Sequence, residues 1–223
     1  MRGVREAANG RAPGRARAAD AMRIVGVLLA AGRGARFGGG KLLAPIPAAS
    51  HGVGSGTAVG VAAAAHLMAA LNDVVAVVRP GDAMLERALA DTGARVVACA
   101  RADEGMGASL ACGVAAAPDA DGWIVALADM PWIAPGTIAA VADALRAGAE
   151  IAAPRWRGER GHPVGFARAY GPLLAALTGD EGARAIVAAR QWVLALVDVD
   201  DAGAVRDVDH PADLHPAPPK SDP

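Results

Sequence analysis

Residues 28–41 read LLAAGRGARFGGGK and continue the apolar run that begins at Ile24. The five glycines let the backbone turn tightly and bring its N–H groups close to an anion. Arg33, Arg36 and Lys41 add positive charge to the same loop. A polyphosphate needs backbone donors to hold it and cations to neutralise it. The stretch therefore predicts a phosphate-binding loop directly after the first strand.

Two familiar phosphate motifs do not fit this loop. The P-loop pattern needs a glycine six positions before the lysine and a hydroxyl residue after it, but Ala35 and Leu42 stand there. The dinucleotide fingerprint needs a third glycine where this chain has Phe37. A flexible glycine-rich turn without function is the alternative interpretation.

Lysine usage argues against that alternative. The chain has 223 residues, of which 22 are basic, yet only Lys41 and Lys220 are lysines. Lys220 belongs to the Pro-rich C-terminal stretch, so Lys41 is the one lysine of the predicted folded body. A lysine retained where arginine serves at every other position indicates a specific role.

Composition limits the classes of partner. The net charge is −1, so we expect neither nucleic acid nor an anionic membrane as a partner. No apolar run approaches the ~20 residues that span a bilayer. Cys99 and Cys112 are too far apart for a CxxC site, and we expect Cys112 to be a buried, inert thiol. Two cysteines and no recognisable signal sequence favour a cytoplasmic location.

Strand-length apolar runs alternate with longer Ala-rich stretches along the body of the chain. The predicted strands are Ile24–Ala30, Val74–Val78, Arg95–Ala98, Gly122–Leu127, Ile151–Ala153 and Val193–Val197. The predicted helices are Thr57–Leu71, Asp82–Asp91, Ala108–Ala117 and Pro135–Ala147, with one or two more within Arg168–Arg190. This alternation predicts an α/β fold with a doubly wound, mostly parallel sheet and helices on both faces.

The ends of the chain set the expected domain limits. Residues 1–21 are Arg-rich and lack apolar periodicity, which predicts a disordered leader. Residues 22–214 are expected to form one domain, and residues 215–223 a Pro-rich tail. The Gly/Ser-rich segment 47–60 is interpreted as an inert insertion or, alternatively, a mobile lid, with His51 exposed.

Asp129 follows the predicted strand Gly122–Leu127 in the sequence ALADMPW. Ligands of a doubly wound sheet bind at the carboxyl ends of its strands, so this carboxylate is expected in the ligand crevice. Beside a triphosphate it would be a natural Mg²⁺ ligand. A helix cap is the alternative, but the next helix is expected to start only near Pro135.

The run LAAGRGARFGGGK closely resembles the signature LAAGxGxRxGxxK of the MobA-like nucleotidyltransferases, and more closely the molybdenum cofactor cytidylyltransferases. The resemblance implies a Rossmann-like nucleotidyltransferase fold and Mg²⁺ as cofactor. It places a nucleotide against the first half of the loop and its phosphates against the basic residues. The implied nucleotide-binding residues are Ala30, Ala31, Gly32, Arg33, Gly34 and Lys41, with Arg36, Lys41 and Asp129 implied as catalytic and Asp129 as a metal ligand.

Three further segments carry the same resemblance. Residues 104–113 resemble GMxxSLxxG, which implies that Ser109 contacts the nucleobase, although an ordinary helix N-cap or first-turn hydroxyl is an equal alternative. The GHP and GDxGAR elements imply acceptor contacts from His162, Asp180 and Arg184; Asp180 and Arg184 could instead pair with each other on a helix. Residues 207–214 resemble DxDTPEDL, which implies a second metal oxygen from Asp209.

The implied reaction joins a nucleoside triphosphate to the terminal phosphate of molybdopterin and releases pyrophosphate. CTP is favoured over GTP because Ala31 and Gly40 differ from the residues usual in guanylyl relatives. A molybdoenzyme or its maturation factor is a possible protein partner. The alternatives are a transferase of this fold that uses GTP or a sugar or alditol phosphate, and a non-catalytic cofactor-binding chaperone.

Overall fold

The computed structural model describes residues 22–47, 54 and 56–215. The predicted leader, residues 216–223 of the predicted tail and residues 48–53 and 55 of the segment 47–60, which include His51, lie outside the described residues.

One eight-stranded sheet runs through the described part of the chain. Its strands are β1 (Ile24–Leu29), β2 (Val74–Val78), β3 (Arg95–Ala98), β4 (Gly122–Leu127), β5 (Ile151–Trp156), β6 (Glu159–Arg160), β7 (Val164–Ala167) and β8 (Leu194–Asp198). The order is β3-β2-β1-β4-β7-β5-β6, and β8 pairs with β5. The first four strands in this order are parallel, and β7 runs antiparallel to both of its neighbours.

In the part of the chain that the structure describes, six α-helices cover the two faces of the sheet. They are α1 (Val59–Ala70), α2 (Ala83–Ala90), α3 (Met106–Ala115), α4 (Pro135–Arg146), α5 (Gly171–Ala175) and α6 (Arg184–Ala188). Apolar residues of α1, α2 and α4 pack in the core on one face, and those of α3, α5 and α6 pack on the other. The predicted mostly parallel α/β fold is confirmed.

The antiparallel strands β6 and β7 were not predicted from the sequence. β6 has only two residues, both charged and exposed, and β7 is a four-residue strand that contains Gly165 and directly follows Pro163, so neither shows apolar periodicity. Burial of β7 between β4 and β5 supplies the order that the local sequence does not.

The crevice lies where the direction of winding reverses. The chain runs outward from β1 to β2 and β3, and then returns to place β4 on the other side of β1. Leu29 of β1 pairs with Leu127 of β4, so both strands end at the same level. The segments that follow them therefore meet above this switch point, where doubly wound folds bind ligands.

The segment after β8 is fastened to the loops above the sheet. The Val208 N–H donates to the carbonyl of Asp129 at 2.9 Å, and the His162 N–H donates to the carbonyl of Ala204 at 2.7 Å. Asp201 in the same segment caps α4, whose own N-cap residue, Ala134, has no side-chain acceptor. Chain sequence far from β4 is thereby held against the residues that follow it.

The cysteines depart from the sequence prediction. Cys99 and Cys112 form a disulfide with their Cα atoms 5.9 Å apart, so Cys112 is not a free thiol. The prediction was based on the short spacing of CxxC pairs, whereas here the turn from β3 into α3 brings two cysteines 13 residues apart together. The disulfide also removes one of the arguments for a reducing compartment. Within the described residues, no helix has the length and apolar character needed to cross a membrane.

The cap supplied by Asp201 is testable. Its carboxylate accepts from Ala134 N–H at 2.9 Å, Thr137 Oγ1 at 2.6 Å and Gly203 N–H at 2.9 Å. We expect Asp201→Ala to lower the free energy of unfolding by about 2 kcal/mol, because these donors lose their acceptor. Urea titration followed by circular dichroism measures this.

The neighbouring exposed Asp200 provides the matched control. Asp200→Ala should stay within about 0.5 kcal/mol of the parent chain, as is usual for surface substitutions. Equal unfolding midpoints for the two variants would show that the cap does not stabilise α4.

Candidate functional site

Lys41 lies between two carboxylates at the carboxyl edge of the sheet. Its Nζ is 2.7 Å from Oδ2 of Asp129 and 3.6 Å from Oδ1 of Asp209. Nη1 of Arg36 reaches the other oxygen of Asp209 at 2.8 Å. The structure thus joins four of the predicted catalytic and metal residues into one chain of ion pairs.

Burial differs along this chain. The Lys41 side chain is only 12% exposed, whereas that of Arg36 is 74% exposed. An exposed pair contributes little to stability, but removing one partner of a shielded pair leaves an uncompensated charge. Lys41 and Asp129 therefore constrain each other strongly, and Arg36 remains free to move toward a ligand.

The glycine-rich loop has the backbone that the sequence implied. Gly34, Gly38, Gly39 and Gly40 have φ values of 58°, 89°, 95° and 66°, in the left-handed region that favours glycine. The loop closes on itself because the N–H groups of Phe37 and Gly39 both donate to the carbonyl of Gly34. Lys41 follows as the first residue of a 3₁₀ turn and is thereby turned toward Asp129.

A second ionic group was missed by sequence reasoning. Asp103 pairs with Arg33 at 2.7 Å and also with Arg79, and hydrogen bonds from these two guanidiniums lower its pKa. Nη2 of Arg79 donates to the carbonyl of Ala31 at 2.9 Å, which ties the loop to the end of β2. Arg79 directly follows β2, so the strand-end rule that selected Asp129 would have selected it as well.

Asp207 is a second residue that sequence reasoning missed. The pKa of its carboxyl is raised by desolvation and then by the negative charges of Asp209 and Asp129. Asp207 is the first acidic residue of the DxDTPEDL-like segment from which Asp209 was predicted. Its position in that segment was the sequence signal that could have identified it.

Two adjoining cavities lie over the loop. The first has a volume of about 480 Å³ and includes Gly34, Lys41 and Leu85 in its lining. The second has a volume of about 400 Å³ and includes Ala31 and Ser109. Their shared lining residues are Leu29, Gly32, Arg33, Arg79 and Asp129. Ala30 is buried beneath the loop and lines neither cavity.

Ser109 occupies the first turn of α3. Its hydroxyl donates to the carbonyl of Gly105 at 3.3 Å, and Gly105 itself is the N-cap residue. Ser109 is therefore not the N-cap but a first-turn hydroxyl, as the alternative interpretation allowed, and this buried residue also lines the second cavity.

The three residues predicted on the acceptor side line a third cavity of about 640 Å³. His162 has a buried Nδ1 without a hydrogen-bond partner, and desolvation, followed by the charge of Arg160, lowers its pKa. The imidazole is therefore neutral at neutral pH. Asp180 and Arg184 form no ion pair in the described structure, so the predicted alternative of a helix-surface pair is wrong.

The carboxylates fit a divalent cation only together with a ligand. Among the described residues, no three His, Cys, Asp or Glu side chains are arranged to hold a metal ion. Asp129 and Asp209 nevertheless converge on one cation, Nζ of Lys41. Two carboxylates completed by phosphate oxygens and waters form the usual Mg²⁺ environment, so this pair suits such an ion.

Two known proteins are similar to this chain in sequence over most of their lengths. Nicotine blue oxidoreductase of Paenarthrobacter nicotinovorans is 32% identical over 200 residues, which are 85% of this chain and 94% of that protein. Purine catabolism protein PucB of Bacillus subtilis (strain 168) is 30% identical over 84% of this chain and 92% of its own length.

A solved structure provides a third likeness. The crystal structure of Rv0371c from Mycobacterium tuberculosis H37Rv superposes with a TM-score of 0.74 at 31% identity, covering 86% of this chain and 95% of that one. A complex of Rv0371c with manganese is also known, with a TM-score of 0.68 at 29% identity over 86% of this chain and 96% of that one. The family profile of the MobA-like NTP transferase domain matches residues 26–195. The chain belongs to the MobA-like NTP transferase family.

Proposed function

We propose that this protein transfers a nucleotidyl group from CTP to the terminal phosphate of a molybdopterin-type acceptor and releases pyrophosphate. Membership of the family and the fold support nucleotidyl transfer in general. The observation that carries the proposal is the chain of ion pairs from Arg36 through Asp209 and Lys41 to Asp129, placed at the switch point of the sheet.

The proposed step is an in-line displacement at phosphorus. An oxygen of the acceptor phosphate forms a bond to the α-phosphorus, and the bond from that phosphorus to the bridging oxygen breaks. The electron pair leaves with pyrophosphate. Lys41 and Arg36 offset the charge that develops on the bridging oxygen. The acceptor phosphate is already anionic, so no general base is required, and catalysis depends on positioning and electrostatics.

A divalent cation belongs to this proposal. Asp129 and Asp209 would hold it, and Mg²⁺ is the expected ion, while the manganese complex of Rv0371c shows that a relative binds such a cation. When bound, it would neutralise charge on the phosphate oxygens. Asp207 lies close enough for its pKa to respond to both carboxylates, which concentrates negative charge on this side of the site.

The third cavity supports a ring-shaped acceptor. Its floor is apolar and includes Leu110, Val125 and Phe166. Arg160 and Arg184 supply positive charge on the same cavity, beside the carboxylates of Asp180 and Glu181. A sugar or alditol phosphate would place hydroxyl groups against the apolar lining residues. A fused ring can instead pack against these residues while its anionic substituent contacts the arginines. The neutral imidazole of His162 can form one hydrogen bond with a polar ring atom, but it has no positive charge to attract a phosphate.

Preference for CTP rests on Ala31 and Gly40 and on the resemblance that they complete. The cytoplasmic location and a molybdoenzyme or maturation factor as protein partner stay predictions from the sequence. A relative named as an oxidoreductase suggests a second activity for this fold, which the experiments must also cover.

A screen tests the proposed function directly. Each of the four nucleoside triphosphates is combined with molybdopterin, a methylerythritol phosphate or a sugar phosphate, and pyrophosphate release is measured. We expect release with CTP and molybdopterin and at least about 10-fold less with GTP. Release with GTP alone would overturn the base assignment. Nucleotide binding without release, or NADH-dependent reduction of a dye, would favour a chaperone or an oxidoreductase.

Asp129→Asn tests the mechanism. We expect turnover to fall by about 100-fold or more, because the carboxylate that would hold the divalent cation against the phosphates is lost while the shape of the side chain is kept. Nucleotide affinity, measured by calorimetry, should change far less. Asp143→Asn, an exposed carboxylate on α4 that pairs with Arg146, is the control and should keep wild-type turnover. Unchanged turnover in Asp129→Asn would overturn the mechanism.

The lowered pKa of His162 predicts a pH dependence of stability. The unfolded chain binds a proton at this residue near its ordinary pKa of about 6.5, whereas the folded chain resists protonation until lower pH. Stability from this residue is therefore complete above about pH 6.5 and is lost as the pH falls below it. The unfolding free energy of wild type should fall more steeply between about pH 7.5 and 5.5 than that of His162→Gln; parallel curves would contradict the burial of a neutral imidazole.

A further inference from the structure

Asp180 stands where the second and third cavities meet. It lines both of them, together with Leu29, Met106 and Leu127. The second cavity shares Arg33 and Asp129 with the loop cavity, so phosphates occupy that end. Asp180, Gly105 and Ser109 line the second cavity but not the loop cavity, so they form the end away from the phosphates.

One oxygen of the exposed Asp180 carboxylate lies close to Gly105. A Cβ atom at position 105 would lie 2.3 Å from Oδ1 of Asp180, and the φ of Gly105 is 122°. The carbonyl of Gly179 accepts a hydrogen bond from the Gly107 N–H at 2.7 Å. Only glycine fits at position 105, and the backbone that carries Asp180 is fixed to the start of α3.

Asp180 differs from the other carboxylates of the second cavity. Asp103 is paired with Arg33 and Arg79, and Asp129 is paired with Lys41. Asp180 makes no ion pair and no side-chain hydrogen bond to any residue that the structure describes. Asp180 is solvent-exposed, so its carboxylate can accept a hydrogen bond from a donor on a ligand that enters the cavity.

We infer that Asp180 accepts a hydrogen bond from the exocyclic amino group of the nucleobase and so selects cytosine over uracil. The inference rests on the proposed function. At the phosphate-distal end of the cavity the ligand is the base, whose flat faces fit the apolar walls formed by Leu29, Ala31 and Leu127. Cytosine presents an amino donor where uracil presents a carbonyl oxygen, and a carboxylate accepts from the first and repels the second.

This assignment changes the role given to Asp180 by the family resemblance, which placed it among acceptor contacts. Arg184, its partner in that motif, lines the third cavity only. The GDxGAR element therefore divides between the two ligands, with its aspartate directed to the base and its arginine to the acceptor.

Equilibrium binding of CTP and UTP to the full chain, measured by calorimetry without acceptor, tests the inference. Wild type should bind CTP at least about 10-fold more tightly than UTP, because one charge-assisted hydrogen bond separates them. Asp180→Asn and Asp180→Ala should bring the ratio of the two affinities close to one. Glu181→Gln removes the adjacent carboxylate and should keep the wild-type ratio.

The outcomes separate this inference from the proposed function. An equal loss of CTP and UTP affinity in both Asp180 variants, with wild-type melting temperatures, would mean that Asp180 contacts ribose or phosphate, and would overturn the inference. An unchanged ratio with a raised KM for the acceptor would return Asp180 to the acceptor and overturn it as well. Absence of nucleotide binding by wild type would overturn both proposals, whereas an unchanged ratio in a protein that still releases pyrophosphate overturns only this one.

Discussion

The candidate site depends on one ammonium group held between two carboxylates. Nζ of Lys41 contacts Asp129 and Asp209, which come from segments 88 and 168 residues farther along the chain. Two carboxylates this close repel each other unless a cation lies between them. The lysine therefore determines that the glycine-rich loop, the end of β4 and the segment after β8 converge at one point.

The rest of the fold supplies the rigidity that this contact needs. β1 and β4 are paired along their whole lengths and end at the same level, which fixes where the loop and Asp129 begin. The segment that carries Asp209 has no regular strand of its own at that point, so it relies on the Val208–Asp129 hydrogen bond and on the cap that Asp201 gives to α4. Positions far from the ligand thus control the geometry of the carboxylates.

Sequence reasoning found what strand position and composition can reveal. Strand-end position selected Asp129, and the surplus of arginine over lysine in the whole chain selected Lys41. Arg79 was missed although it obeys the strand-end rule, because the residues around it match no recognised motif. The Cys99–Cys112 pair and the strands β6 and β7, which both pair with β5, were missed for a different reason, since they arise from tertiary packing of sequence without periodicity. Which carboxylate pairs with each cation also depends on how distant segments of the chain meet, and the spacing of residues in the sequence does not reveal this.

That partnering changes how the basic loop should be understood. Arg33, Arg36, Lys41 and Arg79 are four cations, but each is already paired with Asp103, Asp129 or Asp209. A triphosphate therefore does not meet free positive charge; it exchanges one anionic partner for another, and its affinity is a difference between two sets of ion pairs. The carboxylates released by that exchange would be left uncompensated unless a cation arrives with the phosphates. The same arrangement explains how a chain of net charge −1 can hold a polyanion at one point and present no general attraction for polyanions elsewhere.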